Sequence, residues 1–107
     1  MSTKSKITDN TLKEMEKLTG GPLTLGRLIW SIRMSDEISQ VNFAELLDIS
    51  KQQLCDIEKG RKPVSAKLAA EYARNLGYSE EQFVRLALQD EIDRAGLDFE
   101  VKIKRAA

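Results

Sequence analysis

The sequence contains no histidine and only one cysteine, Cys55, in 107 residues. A histidine-based catalytic dyad and the usual zinc sites are therefore excluded, and one cysteine cannot close an intrachain disulfide. No stretch approaches the roughly 18 apolar residues that span a membrane, and the N-terminus lacks the apolar core of a signal peptide. We expect a cytoplasmic protein that is not an enzyme and that has no metal, no other cofactor and no membrane partner.

Neither sign of charge is in excess, because 17 basic residues balance 17 acidic ones. The total charge therefore gives no evidence for a nucleic-acid partner, but the charges are unevenly distributed along the chain. Residues 51–67 contain five basic and two acidic residues, whereas residues 79–100 contain seven acidic and two basic ones. This distribution predicts a basic patch in the middle of the chain and an acidic surface near its end.

The length and a hydrophobic content of 41% fit a single domain with one modest core. Residues 1–21 begin with a polar stretch and end in two glycines, and within them only residues 9–18 show helical spacing of apolar side chains. We interpret residues 1–21 as a flexible N-terminal arm. Such an arm is either a frayed end without a role or a segment that orders on a partner.

Helical periodicity and capping residues predict five helices within residues 22–96. The expected helices span about 24–36, 39–48, 50–60, 63–77 and 79–95. Each begins near a serine or threonine that can cap it, and Asp48 lies at the end of the second helix, where a left-handed residue is usual. Trp30 lies off the apolar stripe of the first helix, and we expect it to fill space in the core.

The last segment changes from the period of a helix to that of a strand. Apolar side chains alternate with charged ones, with Leu97, Phe99, Val101 and Ile103 on one face. We therefore predict an all-α, five-helix domain followed by one short C-terminal β-strand within residues 97–107. The sequence shows no second pattern of this kind, so these four residues are expected to form an interface. The partner is either the same strand of another copy or a sheet in a different protein.

The second and third helices are short and are joined by a turn of three to four residues. This arrangement is typical of two helices packed at a steep angle, in which the second projects its N-terminal side chains away from the core. With Leu54 and Ile57 facing inward, the third helix, residues 51–59, leaves five side chains outward. They are Lys51, Gln52, Cys55, Asp56 and Lys59.

The outward side chains suit the edges of DNA bases. Gln52 can donate and accept hydrogen bonds at once, as adenine requires, while Lys51 can reach guanine or phosphate and Asp56 can accept from cytosine. Basic residues at the helix end and in the next turn would contact phosphates; they are Lys59, Arg61 and Lys62. These features predict an interface for double-stranded DNA. The alternative is a protein-interaction module whose polar side chains are simply solvated.

Residues 38–63 have the pattern ISQ-x-x-FA-x-x-L-x-IS-x-x-x-L-x-x-IE-x-G-x-KP. With its flanks, from about 25 to 88, this run resembles the helix-turn-helix regulators of Cro and phage-repressor type, the XRE family. The resemblance implies a five-helix DNA-binding domain and a structural ion pair between Arg33 and Glu58. It also implies that Gln40 touches phosphate and supports the recognition helix, and that the base-reading positions are Lys51, Gln52 and Asp56.

Residue chemistry and the resemblance together nominate a set of DNA-contacting residues. They are Ser39, Gln40, Ser50, Lys51, Gln52, Gln53, Cys55, Asp56, Lys59, Arg61 and Lys62. Three positions depart from the family pattern, because Glu37 and Asp48 stand where glycine is usual and Cys55 stands where serine is common. These departures leave the expected fold unchanged, but they make the base sequence that the third helix reads unpredictable from the family pattern.

We therefore expect a sequence-specific transcription regulator. It would be a repressor that binds a double-stranded operator as a homodimer, with two recognition helices in successive major grooves. The segments at both ends allow an alternative, because small XRE-type proteins with a partner-binding segment resemble antitoxins of the HigA kind. Such antitoxins bind a toxin protein and repress their own operon. A toxin reading frame beside this gene would favour the antitoxin.

Overall fold

The computed structural model describes residues 23–106, and these residues contain five α-helices. In chain order the helices are α1 Leu25–Ser35, α2 Gln40–Leu47, α3 Lys51–Glu58, α4 Ala66–Leu76 and α5 Glu80–Arg94. The predicted all-α, five-helix architecture is therefore confirmed for this part of the chain. The arm expected in residues 1–21 lies outside the described residues.

A serine or threonine precedes every helix and fixes where it begins. Each of these residues has an extended backbone, and its side-chain oxygen accepts a hydrogen bond from the backbone N–H three residues further on. The five N-cap residues are Thr24, Ser39, Ser50, Ser65 and Ser79. The helix starts are thus set by local chemistry, and four of them were predicted at the observed N-cap. The fourth helix, expected from 63, has its N-cap at Ser65.

Two turns contain a left-handed residue that is not glycine. Glu37, between α1 and α2, has φ 54°, and Asp48, between α2 and α3, has φ 58°. Asp48 caps the end of α2, where its N–H donates to the carbonyls of Ala44 and Glu45, as the sequence predicted for this position. Because a Cβ atom makes this conformation costly, both turns hold strain that glycine would relieve.

All five helices contribute to one apolar core. Leu28 of α1, Phe43 of α2 and Leu54 of α3 are completely buried within it. Tyr72 of α4 is also buried, and this burial raises the pKa of its phenol, with a smaller contribution from the charge of Glu71. The core therefore fixes α3 against α1 and α2 largely through apolar contacts.

Helices α1 and α3 approach each other closely at Gly26. A Cβ atom at this position would overlap the backbone carbonyl oxygen of Ile57, in the last turn of α3. Glycine weakens a helix by about 1 kcal/mol relative to alanine, and this contact explains its presence in α1. Gly26 was not predicted to make this contact, although an isolated glycine within a helical pattern is a signal of such packing.

Residues 97–106 form no β-strand in the described part of the chain. The predicted C-terminal strand is therefore wrong for a single copy of the protein. Gln89 of α5 instead donates to the carbonyl of Phe99 at 2.8 Å and accepts from the N–H of Val101 at 2.7 Å. A strand needs a hydrogen-bonded neighbouring strand, and residues 23–106 supply none to this segment.

The segment is extended and runs antiparallel to α5. Gln89 holds it at Val101, and Glu81, eight positions earlier in α5, pairs with Arg105 at 3.3 Å. Eight helical residues and four extended residues both cover about 12 to 13 Å, so the two contacts match an extended chain. The side chain of Phe99 is 65% exposed beside this path.

Candidate nucleic-acid interface

Helix α3 presents one apolar and one polar face. Leu54 and Ile57 are buried against the core, with 0% and 4% exposure. Lys51, Gln52 and Gln53, in the first turn, are exposed. Of the five side chains that the periodicity assigned to the outside, Lys51, Gln52 and Lys59 are exposed, whereas Cys55 and Asp56 are partly buried.

The capping box at the start of α3 uses the side chain of Gln53. The backbone N–H of Gln53 donates to Ser50 Oγ at 3.0 Å, and Gln53 Oε1 accepts from the Ser50 N–H at 2.9 Å. The hydroxyl of Ser50 and the Oε1 of Gln53 are therefore committed to fixing the helix start. The amide NH₂ group of Gln53 remains to meet a ligand.

Asp56 links two other residues of the outward face. Its Oδ1 accepts from Gln52 Nε2 at 3.1 Å and from Arg61 Nε at 3.2 Å. Arg61 also approaches Cys55, with 3.7 Å between Nη2 and Sγ. Arg61 thereby compensates the negative charge of Asp56, and Asp56 holds one N–H of Gln52. The Oε1 and the second N–H of Gln52 stay available for a base edge.

Hydrogen bonds hold the backbone of the turn after α3 in place. The carbonyl of Asp56 accepts from the N–H of Arg61 at 2.8 Å and from that of Lys62 at 3.2 Å. Gly60 has φ 75°, a conformation that favours glycine, and its carbonyl accepts from Arg94 Nη2 at 2.7 Å. Arg94 lies 34 positions further along the chain, so no local pattern in the sequence identified it as a support of the basic turn.

Arg33 and Glu58 form a bidentate ion pair that joins α1 to the end of α3. Arg33 Nε donates to Oε2 at 2.7 Å and Nη2 donates to Oε1 at 3.0 Å. The two side chains are only 12% and 4% exposed. Arg33 Nη1 also donates to the carbonyl of Ile38, and Gln40 Nε2 donates to Glu58 Oε1, both at 3.0 Å. This network ties α1, α2 and α3 together at one point and fixes the direction of α3.

The start of α2 lies next to this network. Ser39 Oγ caps the helix by accepting from the N–H of Asn42 at 3.2 Å. The N–H groups of Gln40 and Val41 have no acceptor among residues 23–106, as is usual for the first turn of a helix. Free N–H groups and the positive end of the helix dipole favour an anion at this position.

The contacts separate the nominated residues into groups. Side-chain contacts join Gln52, Cys55, Asp56 and Arg61. The exposed lysines form no ion pair with other residues of the described range; they are Lys51, Lys59 and Lys62. The residues nominated for a dimer or partner interface lie elsewhere, in the extended segment after α5.

Residues 23–106 contain no cluster of acidic, cysteine or histidine side chains that could hold a metal ion, and none of their helices is long and apolar enough to cross a membrane.

Two short helices joined by a tight turn, the second with its polar face directed outward, are the arrangement of a helix-turn-helix domain. Residues 31–83 match the family model for helix-turn-helix domains, HTH_3. These residues therefore form a helix-turn-helix domain of Cro/XRE type, as the sequence pattern predicted. No curated protein and no solved structure is significantly similar to the chain. The family consists of DNA-binding domains rather than enzymes, so membership implies DNA binding in the regulation of transcription.

Proposed function

We propose that this protein represses transcription by binding a two-half-site operator as a homodimer, with α3 of each copy in the major groove. The observation that carries the proposal is the division of α3 into two faces. Lys51 and Gln52 are exposed, while Leu54 and Ile57 are buried on the opposite side. An α-helix fits the major groove, and side chains of its first turns reach the base edges there.

Gln52 is the residue that we propose to read a base. Asp56 holds one of its N–H groups, so the amide is oriented before DNA arrives. The remaining N–H and Oε1 match the acceptor and donor that adenine presents in the major groove. Asp56 itself is proposed to position Gln52, because its Oδ1 already accepts two hydrogen bonds. Lys51 is proposed to contact guanine or phosphate.

Phosphate contacts are proposed on both sides of α3. The basic turn that follows it carries exposed Lys59 and Lys62, and the start of α2 offers the free N–H groups of Gln40 and Val41. Contacts of this kind fix the register of the protein on DNA and supply affinity that does not depend on sequence. Base reading by Gln52 would then select among sites that bind with similar electrostatic energy.

The homodimer is proposed to form through residues 97–104. The side chain of Gln89 forms hydrogen bonds with the backbone of Phe99 and Val101 on one edge of the extended segment. In an extended chain, neighbouring residues direct their backbone N–H and C=O groups to opposite edges. The backbone groups of the even-numbered residues therefore point to the other, open edge. Leu97 and Phe99 are 47% and 65% exposed beside this edge. An open edge next to exposed apolar side chains favours pairing with another strand.

The charge pattern of the same segment favours a second copy as the partner. A two-fold axis at residue 101 would place Asp98 opposite Lys104 and Glu100 opposite Lys102 of the other copy. Each such pair contributes from a few tenths of a kcal/mol to about 1 kcal/mol, so the apolar side chains must supply most of the association. A symmetric interface of this kind would hold two recognition helices in a fixed relation.

A toxin protein is the second candidate for the open edge. In that case the chain would be an antitoxin that binds its toxin by β-augmentation and represses its own operon. The observation in its favour is the exposure of Phe99, which any strand partner could cover. The symmetric charges of residues 98–104 favour the homodimer as the first candidate.

Selection of binding sites from duplexes of random sequence tests the proposed function. We expect enrichment of a symmetric motif with two half-sites about 34 Å apart, one helical turn of DNA, and two protein chains on each selected duplex by sedimentation. Duplexes that bind without any enriched motif would contradict sequence-specific recognition by α3. A motif with a single half-site, bound by one chain, would contradict the homodimer alone.

A further inference from the structure

A groove with a volume of about 330 Å³ lies between α1, the start of α2 and the end of α3. Its lining includes Arg27, Trp30, Arg33, Gln40, Glu58 and Lys59. The proposed function gives a role to Gln40 and Lys59 but none to Arg27 or Trp30. The groove therefore adjoins the candidate interface and extends beyond it along α1.

The lining of the groove has uncompensated positive charge. Arg27 and Lys59 form no ion pair within the described range of residues. The carboxylate of Glu58 is already bonded to Arg33 and Gln40. Two cations thus remain for a ligand, and a concave cationic surface favours an anionic one.

Trp30 gives the groove an apolar wall. We had expected this residue to fill space in the core, but its side chain is 45% exposed and lines the groove. An indole ring offers a flat apolar face together with one N–H donor. The residues of the groove therefore suit a ligand that carries an anionic group next to an apolar one.

We propose that the groove binds the DNA backbone beyond the bases that α3 reads, with a phosphodiester between Arg27 and Lys59 and a deoxyribose against Trp30. The proposal rests on the proposed DNA-binding function and enlarges its footprint. Continuity supports it, because Lys59 belongs both to the groove and to the basic turn, and Gln40 belongs both to the groove and to the start of α2. A DNA strand bound at these residues would continue along α1.

The fluorescence of Trp30 tests the proposal directly, because it is the only tryptophan in the chain. The full-length protein is titrated with a mixed-sequence duplex, while the anisotropy of a label on the DNA records binding independently. We expect the indole emission to change in proportion to the bound duplex, and quenching of the indole by acrylamide to decrease. Unchanged emission and unchanged quenching at saturation would overturn the proposal and leave DNA binding by α3 intact.

Arg27→Gln provides the second test, because it removes the cation and keeps a long polar side chain. We expect binding to weaken by roughly threefold to tenfold for every duplex, and the slope of log K against log salt to decrease by about 0.9. Base preference should not change. Arg85→Gln is the control, because Arg85 lies on α5, does not line the groove and pairs with no carboxylate among the described residues.

The experiments distinguish a failure of the groove proposal from a failure of DNA binding by the whole protein. Equal affinities and equal salt slopes for Arg27→Gln and Arg85→Gln would overturn the backbone contact in the groove, while enrichment of a motif would still support reading by α3. A wild-type protein that binds no duplex of any sequence would overturn both proposals. If poly-glutamate changes the emission of Trp30 and duplex DNA does not, the groove binds an acidic protein segment and the proposal is wrong.

Discussion

Hydrogen bonds between the polar side chains of α3 and the following turn restrict their orientations. Asp56 accepts from Gln52 and Arg61 through the same oxygen, so its charge is compensated and the amide of Gln52 is oriented. From its type alone, Asp56 is a candidate reader of cytosine or a source of repulsion against phosphate. Its contacts instead favour a positioning role, in which its effect on DNA passes through its two neighbours.

Asp56→Asn separates these roles, because asparagine keeps an oxygen acceptor for Gln52 and removes the negative charge. We expect tighter binding to every duplex and an unchanged base preference. Asp56→Ala also removes the acceptor and should additionally relax the preference at the position that Gln52 reads. Affinities for single-base variants of the selected site measure both effects. A lost preference at a different base pair in Asp56→Asn would show that Asp56 contacts a base.

Glu58→Gln leaves the guanidinium of Arg33 without a carboxylate where both side chains are largely buried. We expect the free energy of unfolding to fall by about 3 kcal/mol, since removal of one partner leaves a buried charge uncompensated. Urea denaturation followed by circular dichroism measures the loss. Glu45→Gln is the control, because Glu45 is exposed and unpaired within residues 23–106; its effect should stay within about 0.5 kcal/mol. Identical midpoints for Glu58→Gln and wild type would contradict a stabilising pair.

The sequence predicted which side chains of α3 face outward, because the spacing of Leu54 and Ile57 defines its buried side. It did not predict the contact between Asp56 and Arg61, which depends on the path of the turn after α3. It also assigned Trp30 to the core, where hydrophobicity alone would place it. Its position off the apolar stripe of α1 was the signal against that assignment, and in the structure Trp30 is 45% exposed.

The turns that flank α2 contain strained residues. Glu37 has φ 54° and its side chain is exposed, so Glu37→Gly should relieve strain without removing a buried contact. We expect the free energy of unfolding to rise by about 1 kcal/mol, again measured by urea denaturation. The same substitution inside a helix, Glu45→Gly, should instead lower stability by about 1 kcal/mol. A loss of stability in Glu37→Gly would contradict the left-handed conformation at this position.

The positions of the helices could be predicted better than the contacts between them. Each N-cap is a local hydrogen bond within four residues, so the sequence contains the whole signal for where a helix begins. The contact of Gly26 with Ile57, and that of Arg94 with Gly60, join distant parts of the chain. Such contacts follow only from the three-dimensional packing.

The segment after α5 is the part of the described structure that differs most from the sequence prediction. Its alternating pattern predicts a strand, yet residues 97–106 contact α5 through side chains and have no paired strand in the described structure. A strand is a property of two segments, whereas the sequence of one chain shows only that this segment is suited to pairing. The sequence of one chain therefore does not contain the contact that would make this segment a strand.

Phe99→Glu tests the proposed dimer in the full-length chain. The side chain is 65% exposed in one copy, so the stability of the monomer should hardly change, whereas a carboxylate buried between two copies is costly. We expect sedimentation to show a dimer for the wild type and a monomer for Phe99→Glu, and affinity for the two-half-site operator to fall sharply. Met34→Glu, on the exposed side of α1, is the control.

Removal of residues 97–107 should likewise leave a folded monomer. A dimer that persists without these residues would place the interface elsewhere and free the segment for a different protein partner.

The comparison of Gln52→Ala with Lys59→Ala on the selected duplex and its single-base variants tests most directly whether α3 reads DNA. For Gln52→Ala we predict a loss of about 1 to 3 kcal/mol at the selected site and a relaxed preference at one base position of each half-site. For Lys59→Ala we predict equal weakening for all duplexes and a salt slope smaller by about one unit. If Gln52→Ala weakens all duplexes equally, or leaves the base preferences unchanged, α3 does not read the sequence through Gln52 and the account is wrong.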